Sequence, residues 1–86
     1  MLFCVYVLRN EKGKLYIGQT SDLKRRLEFH EQGLSPYTAG HRPWKLIYTE
    51  TYATRSEAML RERYLKTGAG RDWLMRKMAE GEWRNG

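Results

Sequence analysis

Residues 2–19 read LFCVYVLRNEKGKLYIGQ, two apolar stretches on either side of a turn. The first stretch, Leu2 to Leu8, is continuous and has β-branched and aromatic members, as expected of a central strand. Asn10 to Gly13 has turn chemistry, because Gly13 can adopt a positive φ. Lys14 to Gln19 then has the pattern of a second strand. We therefore predict a β-hairpin over residues 2–19, and the remaining elements are placed relative to it.

The middle of the chain contains one helix and one further strand. Thr20-Ser21-Asp22 offers helix N-caps, which predicts a first helix from about Asp22 to Gln32, ended by Gly33. Residues 34–43 contain two prolines and Gly40, and they are predicted to form an irregular loop. Trp44 to Tyr52 has the alternation of a third strand.

The last part of the chain is helical. Thr54 with Glu57 forms a capping box, which predicts a second helix that Gly68 stops, and a third helix begins at Gly70. The order ββαβαα predicts an α+β fold, a small three-stranded antiparallel or mixed sheet flanked by helices. Residues 1–80 are predicted to form one domain, and residues 81–86 a frayed tail.

Composition narrows the class of protein and of partner. The 86 residues carry 16 Lys and Arg against 10 Asp and Glu, a net charge of +6, which favours nucleic acid. A single cysteine, Cys4, excludes an intramolecular disulfide and a thiolate metal cluster, and it indicates a reducing cytoplasm. The apolar run at the start is too short to span a membrane and lacks signal-peptide features, so we expect no membrane partner.

Ionisable residues interrupt the apolar stripes of two predicted helices. Leu23, Arg26, Leu27 and His30 share one face of the first helix, and Glu62 lies within a similar stripe of the second. One explanation is a partly buried ion pair between Arg26 and Glu62, with His30 as a core histidine. The other is an anionic ligand, because an unpaired buried charge is costly.

Motifs at these positions resemble the GIY-YIG nuclease superfamily. Tyr16-Ile17-Gly18 is the intact second motif, and Cys4-Val5-Tyr6 matches the first except that Cys4 replaces Gly. The catalytic arginine of the family, ten residues beyond the second motif tyrosine, falls on Arg26. A His or Tyr one turn later falls on His30, and the metal-binding glutamate on Glu62. The resemblance extends to about Leu74, and it is closest to small single-domain bacterial members.

This resemblance implies a metal-dependent endonuclease that hydrolyses phosphodiester bonds. The substrate would be DNA rather than RNA, cut with structure selectivity or weak sequence specificity in repair or recombination. Catalysis would use Tyr6, Tyr16, Arg26, His30 and Glu62, and Glu62 would hold one Mg²⁺ or Mn²⁺ ion. We favour Tyr6 as the base. His30 is the alternative, because a histidine has a pKa nearer neutrality. We expect these five side chains to converge in one solvent-open pocket, with Arg26 and Glu62 on the same face of the sheet.

A second set of residues is predicted to contact nucleic acid. The set is basic or backbone-exposing, and it comprises Gly18, Lys24, Arg25, His41 and Arg42. A competing interpretation is a non-catalytic module that binds nucleic acid. Another is a subunit that cuts only when a protein partner supplies specificity, because 86 residues leave no room for an accessory DNA-binding domain. The sequence contains no indication of the oligomeric state.

Overall fold

The computed structural model describes residues 1–80 of the 86-residue chain. Its elements follow the predicted order, with one short helix added: β1 Phe3–Asn10, β2 Leu15–Thr20, α1 Leu23–Glu31, α2 Pro36–Ala39, β3 Trp44–Tyr52, α3 Arg55–Leu65 and α4 Gly68–Glu80. The predicted α+β class is confirmed. The tail predicted at 81–86 lies outside the described residues. None of the helices in residues 1–80 is long and apolar enough to cross a membrane.

The three strands form one antiparallel sheet in the order β2-β1-β3, so β1 is central. The hairpin turn is closed by Asn10, whose side-chain Oδ1 accepts hydrogen bonds from the backbone N–H groups of Lys12 (3.1 Å) and Lys14 (2.8 Å). Gly13 in this turn has a φ of 82°. The antiparallel alternative of the predicted sheet is therefore the one that forms.

Residues 36–39 form the short helix α2, which corrects the prediction of an irregular loop over 34–43. Pro36 lies in its first turn, where a missing N–H costs nothing. Thr38 is fully buried, and its carbonyl accepts a hydrogen bond from the indole Nε1 of Trp44 at 2.9 Å. Contacts distant in sequence thus hold this single turn, which is too short to produce a readable periodicity.

Helix α4 begins at Gly68 and not at Gly70, so the prediction that Gly68 stops the preceding helix is wrong. The hydroxyl of Thr67 accepts a hydrogen bond from the backbone N–H of Gly70 at 3.1 Å, in the manner of an N-cap. A Cβ on Gly70 would lie 2.0 Å from the carbonyl oxygen of Tyr64. Gly70 is therefore required for the close approach of α3 and α4.

The sheet has helices on both faces. Val5, Val7 and Ile17 point to one face, where they form the hydrophobic core with Ala58 and Leu65 of α3. Leu74 of α4 and Leu15 complete that core. Side chains alternate along a strand, so Tyr6 and Leu8 point to the other face, toward α1 and α2.

A half-buried polar cluster fastens β3 to α3. The carboxylate of Glu50 accepts hydrogen bonds from Arg61 (Nε 2.9 Å, Nη2 3.0 Å), from the Tyr52 hydroxyl (2.6 Å) and from the Tyr48 hydroxyl. The Arg61 guanidinium also lies 4.5 Å from the ring centre of Trp73 in α4. Burial alone would raise the pKa of Glu50, but the hydrogen bonds from Arg61, Tyr48 and Tyr52 outweigh it and lower that pKa. Sequence analysis did not anticipate this cluster.

Candidate active site

Tyr6 of the central strand extends its phenol ring across Gly18 of β2. The two residues are paired in the antiparallel register. A Cβ on Gly18 would lie 2.7 Å from the Tyr6 hydroxyl oxygen and 2.8 Å from Cζ. Only glycine leaves space for the ring here, so the last residue of the Tyr16-Ile17-Gly18 run sets the position of the Tyr6 hydroxyl.

A line of hydrogen bonds runs from Tyr6 through His30 to Thr38. His30 Nε2 lies 2.8 Å from the Tyr6 hydroxyl, and His30 Nδ1 lies 2.8 Å from Thr38 Oγ1. The three side chains are almost fully buried, with exposures of 2% for Tyr6, 2% for His30 and 0% for Thr38. His30 is the only buried residue of α1, so the helix docks on the sheet through this polar contact.

Tyr16 lies beside this line within an aromatic group. Its ring centre is 4.9 Å from that of His30 and 6.2 Å from that of Tyr6. On its other sides it meets Tyr37 at 5.9 Å, in a stacked arrangement, and Trp44 at 6.4 Å. The two motif tyrosines and His30 therefore do come together, as the sequence analysis expected.

The charges of Arg26 and Glu62 both act on the Tyr6 hydroxyl. Burial raises the pKa of Tyr6 above its ordinary value, as does Tyr16; Arg26 opposes that shift and Glu62 adds to it. The pKa of His30 is lowered, first by burial and then by Arg26. The Arg26 side chain is exposed and lies 5.1 Å from the ring centre of Phe29.

The ion pair between Arg26 and Glu62, one of the two explanations for their positions, is absent from residues 1–80. Glu62 instead pairs with Lys66, four residues later in α3, with Nζ 2.6 Å from Oε2. The two helices lie on opposite faces of the sheet, so the expectation that Arg26 and Glu62 share a face is wrong. The charge of Glu62 nevertheless reaches Tyr6, because the Tyr6 ring crosses Gly18 toward β2, the edge strand that α3 contacts from the other face.

His30 and Glu62, two of the five residues expected in one pocket, line different cavities. His30 lines a cavity of about 630 Å³ together with Leu8 and Trp44. Glu62 lines a separate cavity of about 210 Å³ beside Gln19. The arrangement is the buried Tyr6 hydroxyl near the edge of the sheet, with Arg26 on one face of the sheet and Glu62 on the other.

Comparison with known proteins identifies the family. The family model of the GIY-YIG catalytic domain matches residues 2–75, which is most of the chain. The chain belongs to the GIY-YIG family. Relatives of this GIY-YIG domain include UPF0213 proteins from Streptococcus pneumoniae (44% identical over 63 residues) and Bacillus pumilus (46% over 63 residues). The match covers 72% of the chain in both cases, and it spans just under two thirds, 64%, of the length of each relative.

Two further relatives agree in sequence and in fold. A UPF0213 protein from Staphylococcus aureus is 42% identical over 64 residues, which is 73% of this chain and 78% of the relative. The solution NMR structure of a UPF0213 protein from Bacillus halodurans superposes with a TM-score of 0.55 at 32% identity, covering 87% of this chain and 83% of that one. The resemblance drawn from the motifs is therefore confirmed.

The donor atoms near the site suit a hard divalent cation. Within residues 1–80 no group of three or more His, Cys, Asp or Glu side chains could enclose a metal ion. Glu62 supplies a carboxylate with 22% of its side chain exposed. A single carboxylate fits Mg²⁺, which keeps several waters and takes further oxygen ligands from a substrate phosphate. The chemistry of this carboxylate thus fits a divalent cation, although the cation would replace Lys66 Nζ, which lies 2.6 Å from Glu62 Oε2.

The residues predicted to contact nucleic acid have different surroundings in this GIY-YIG domain. Lys24 and Arg25 are exposed on α1, and His41 is exposed after α2. Arg42 is also exposed, but its guanidinium donates to the carbonyl oxygens of Ala39 (3.0 Å) and Glu31 (3.1 Å). Arg42 therefore links α2 to the end of α1, and Gly18 makes space for Tyr6.

Thr38 is the neighbour of the site that sequence analysis missed. It lies in a stretch predicted as a loop, eight residues from His30, and no helical or strand spacing connects the two. A threonine followed by Ala39 and Gly40 has no distinguishing signal in a single sequence. Only the docking of α2 against α1 brings its hydroxyl to the imidazole.

Proposed function

We propose that this GIY-YIG domain is a metal-dependent endonuclease that hydrolyses phosphodiester bonds in DNA. Cutting would be structure-selective or weakly sequence-specific, in repair or recombination within the cytoplasm. The observation that carries the proposal is the Tyr6 hydroxyl, which is hydrogen-bonded to His30 and influenced by the charges of both Arg26 and Glu62. The family membership supports the reaction class.

The proton of the attacking water has a route through the buried hydrogen bonds. Because the pKa of Tyr6 is raised, little free phenolate is present at neutral pH. The water gives its proton to the Tyr6 oxygen while the Tyr6 proton passes to His30 Nε2, 2.8 Å away. The new P–O bond forms as the bond to the leaving oxygen breaks, and that oxygen takes a proton from solvent. The proton on His30 returns to solvent afterwards.

The charges on either side of Tyr6 serve the phosphate. Arg26 is exposed on α1, and its planar guanidinium can donate to two phosphoryl oxygens at once. Glu62 would hold one Mg²⁺ or Mn²⁺ ion, and such an ion would supply positive charge to offset the negative charge that develops on those oxygens. Tyr16, whose ring meets that of His30 edge-on at 4.9 Å, would orient the water or the phosphate.

The test is nicking of supercoiled plasmid DNA by the purified chain with Mg²⁺ or Mn²⁺. Arg26→Ala should lower the rate by about 10²–10³-fold, as expected when a donor aimed at the transition state is lost. Arg26→Lys should restore little, because the two-pronged geometry is lost. Arg71→Ala, which removes an equal exposed charge from α4, is the matched control and should cut at nearly the wild-type rate.

The same preparations distinguish the alternative function. DNA binding is measured for each variant by fluorescence anisotropy. If the wild type binds DNA but does not nick it with either ion, the domain is a non-catalytic or partner-dependent binding module. If Arg26→Ala cuts as fast as the wild type, Arg26 has no part in catalysis.

A further inference from the structure

Thr38 is a buried hydroxyl aimed at the histidine of the candidate active site. Its Oγ1 lies 2.8 Å from His30 Nδ1, and none of its surface is exposed. Its backbone carbonyl accepts hydrogen bonds from Trp44 Nε1 (2.9 Å) and from the backbone N–H of His41 (3.1 Å). The backbone that carries this hydroxyl is therefore held in place from β3 and from the loop after α2.

The chemistry of the two neighbours determines which imidazole nitrogen carries the proton. The pKa of His30 is lowered by burial and by Arg26, so the ring is neutral near pH 7 and has one N–H. A phenol is a stronger acid than an aliphatic alcohol, so Tyr6 is the better donor of the two hydroxyls. With the Tyr6 O–H directed at Nε2, the ring proton must be on Nδ1, where the Thr38 oxygen accepts it.

We propose that Thr38 is a positioning residue that holds His30 in the Nδ1–H tautomer, leaving the Nε2 lone pair to receive the Tyr6 proton. The catalytic consequence rests on the proposed nuclease function, whereas the tautomer does not. After proton transfer the imidazolium has N–H groups on both nitrogens, and the Thr38 oxygen still accepts from Nδ1. No atom around Thr38 has to move during the transfer, which is what an orienting partner of a general base provides.

The opposite arrangement has a different consequence. If the Thr38 hydroxyl donated to Nδ1, the ring proton would be on Nε2 and would point at the Tyr6 oxygen. His30 could not then accept the Tyr6 proton. The two tautomers differ in which ring nitrogen carries the proton, so a measurement on the protein without DNA or metal can distinguish them.

The first experiment is ¹⁵N NMR of the histidine ring nitrogens in the full chain at about pH 8, without DNA or metal. The chain has two histidines, His30 and His41, so a His41→Gln variant assigns the signals. We expect a protonated Nδ1 and an unprotonated, hydrogen-bonded Nε2 for His30 in the wild type. A protonated Nε2 in the wild-type spectrum would overturn the proposal, and no Thr38 variant is needed for that result.

The second experiment compares Thr38→Val, which keeps the shape and removes the hydroxyl, with Thr38→Ser, which keeps the hydroxyl. Thr38→Val should mix the two tautomers of His30 and lower kcat roughly tenfold or more with little change in KM. Thr38→Ser should retain the tautomer and most of the rate. A Thr38→Val protein with the wild-type tautomer, or with wild-type kcat in an active enzyme, contradicts the proposal.

These readouts separate the proposal from the proposed function. If the wild type cuts no DNA while His30 is in the Nδ1–H form and loses it in Thr38→Val, the nuclease assignment fails and the tautomer assignment stands. If Thr38→Val does not fold, the wild-type spectrum and the Thr38→Ser variant still decide the tautomer.

Discussion

Substituting Gly18 by alanine tests the geometry on which the candidate site depends. The added Cβ would lie 2.7 Å from the Tyr6 hydroxyl oxygen, whereas ordinary van der Waals contact begins at 3.4 Å. The end of the Tyr6 ring must therefore move by about 0.7 Å, against neighbours packed at the density of a protein interior. Tyr6 is 2% exposed, so the ring has no open space to enter.

The displacement should cost both stability and activity. Overpacking of this kind typically costs about 1–3 kcal/mol of the free energy of unfolding. A shift of this size is also large enough to disrupt the geometry of the 2.8 Å hydrogen bond between Tyr6 and His30. In a domain of this size, each kcal/mol lost from the free energy of unfolding lowers Tm by about 4–8 °C. The proposed proton transfer from Tyr6 to His30 would also fail, so cutting should fall by roughly 10²-fold, the lower end of a general-base contribution.

Circular dichroism measures the Tm of each variant, and plasmid nicking on the same preparations measures its cutting rate. Gly40→Ala is the matched control, because a Cβ on Gly40 meets no atom within 4 Å and its φ is −82°. That variant should melt within a few degrees of the wild type. A Gly18→Ala protein with wild-type Tm and rate would refute the reasoning. A lowered Tm with an unchanged rate would limit Gly18 to a structural role.

Four further predictions concern the charged groups. Glu62→Gln should abolish nicking and leave DNA binding unchanged or slightly tighter; full activity, or undiminished cutting by the wild type in excess chelator, would defeat a one-ion mechanism. Glu50→Gln should lower the free energy of unfolding by about 2 kcal/mol in urea titrations, because the half-buried donors of Arg61, Tyr48 and Tyr52 lose a charged acceptor; an unchanged midpoint would contradict this. The folded-state pKa of His30 is lowered by burial and by Arg26, so the stability that this histidine contributes is fully present above its unfolded pKa of ~6.5. That stability falls as the pH drops below ~6.5, and His30→Gln should remove this fall in urea titrations at successive pH values. DNA affinity should fall steeply with added salt and show little sequence preference, because the net charge of +6 acts on phosphates; salt-independent binding would refute it.

Local signals in the sequence were sufficient for most of the fold. The Asn10–Gly13 turn and the Thr54–Glu57 capping box act within a few residues, so the hairpin and the start of α3 are readable without tertiary information. The caps of α1 are equally local, since Asp22 accepts from the backbone N–H of Arg25 at 3.1 Å. These contacts join residues close together in sequence, which is why the predicted element order agrees with the structure.

The errors arise where distant contacts decide the outcome. Helix α2 is a single turn held through Thr38, and its partners come from α1 and β3. Glycine is typical of helix ends, which predicts that Gly68 stops α3. In the structure Gly70 packs closely on α3, and α4 begins two residues before it, at Gly68. The same limitation explains Arg26 and Glu62, because helical periodicity identifies a face of a helix but not the face of the sheet on which that helix docks.

The placement of α1 and α3 on opposite faces has a physical advantage for a chain of this size. If α1 lay on the same face as α3 and α4, the face that carries Tyr6 and Leu8 would lose its cover, and a small domain has little apolar surface to spare. With α1 and α3 on different faces, a site shared by these two helices is accessible only at a sheet edge. Tyr6 meets this requirement because it starts from the central strand, crosses the glycine of β2 and brings a hydroxyl from the interior to within the influence of both helices.

Tyr16 begins on the edge strand itself and packs against Tyr37 and Trp44, farther along the sheet. The two motif tyrosines are therefore not equivalent, and Tyr6→Phe should cost more activity than Tyr16→Phe in the nicking assay. Equal losses in the two variants would show that the central-strand hydroxyl has no special role.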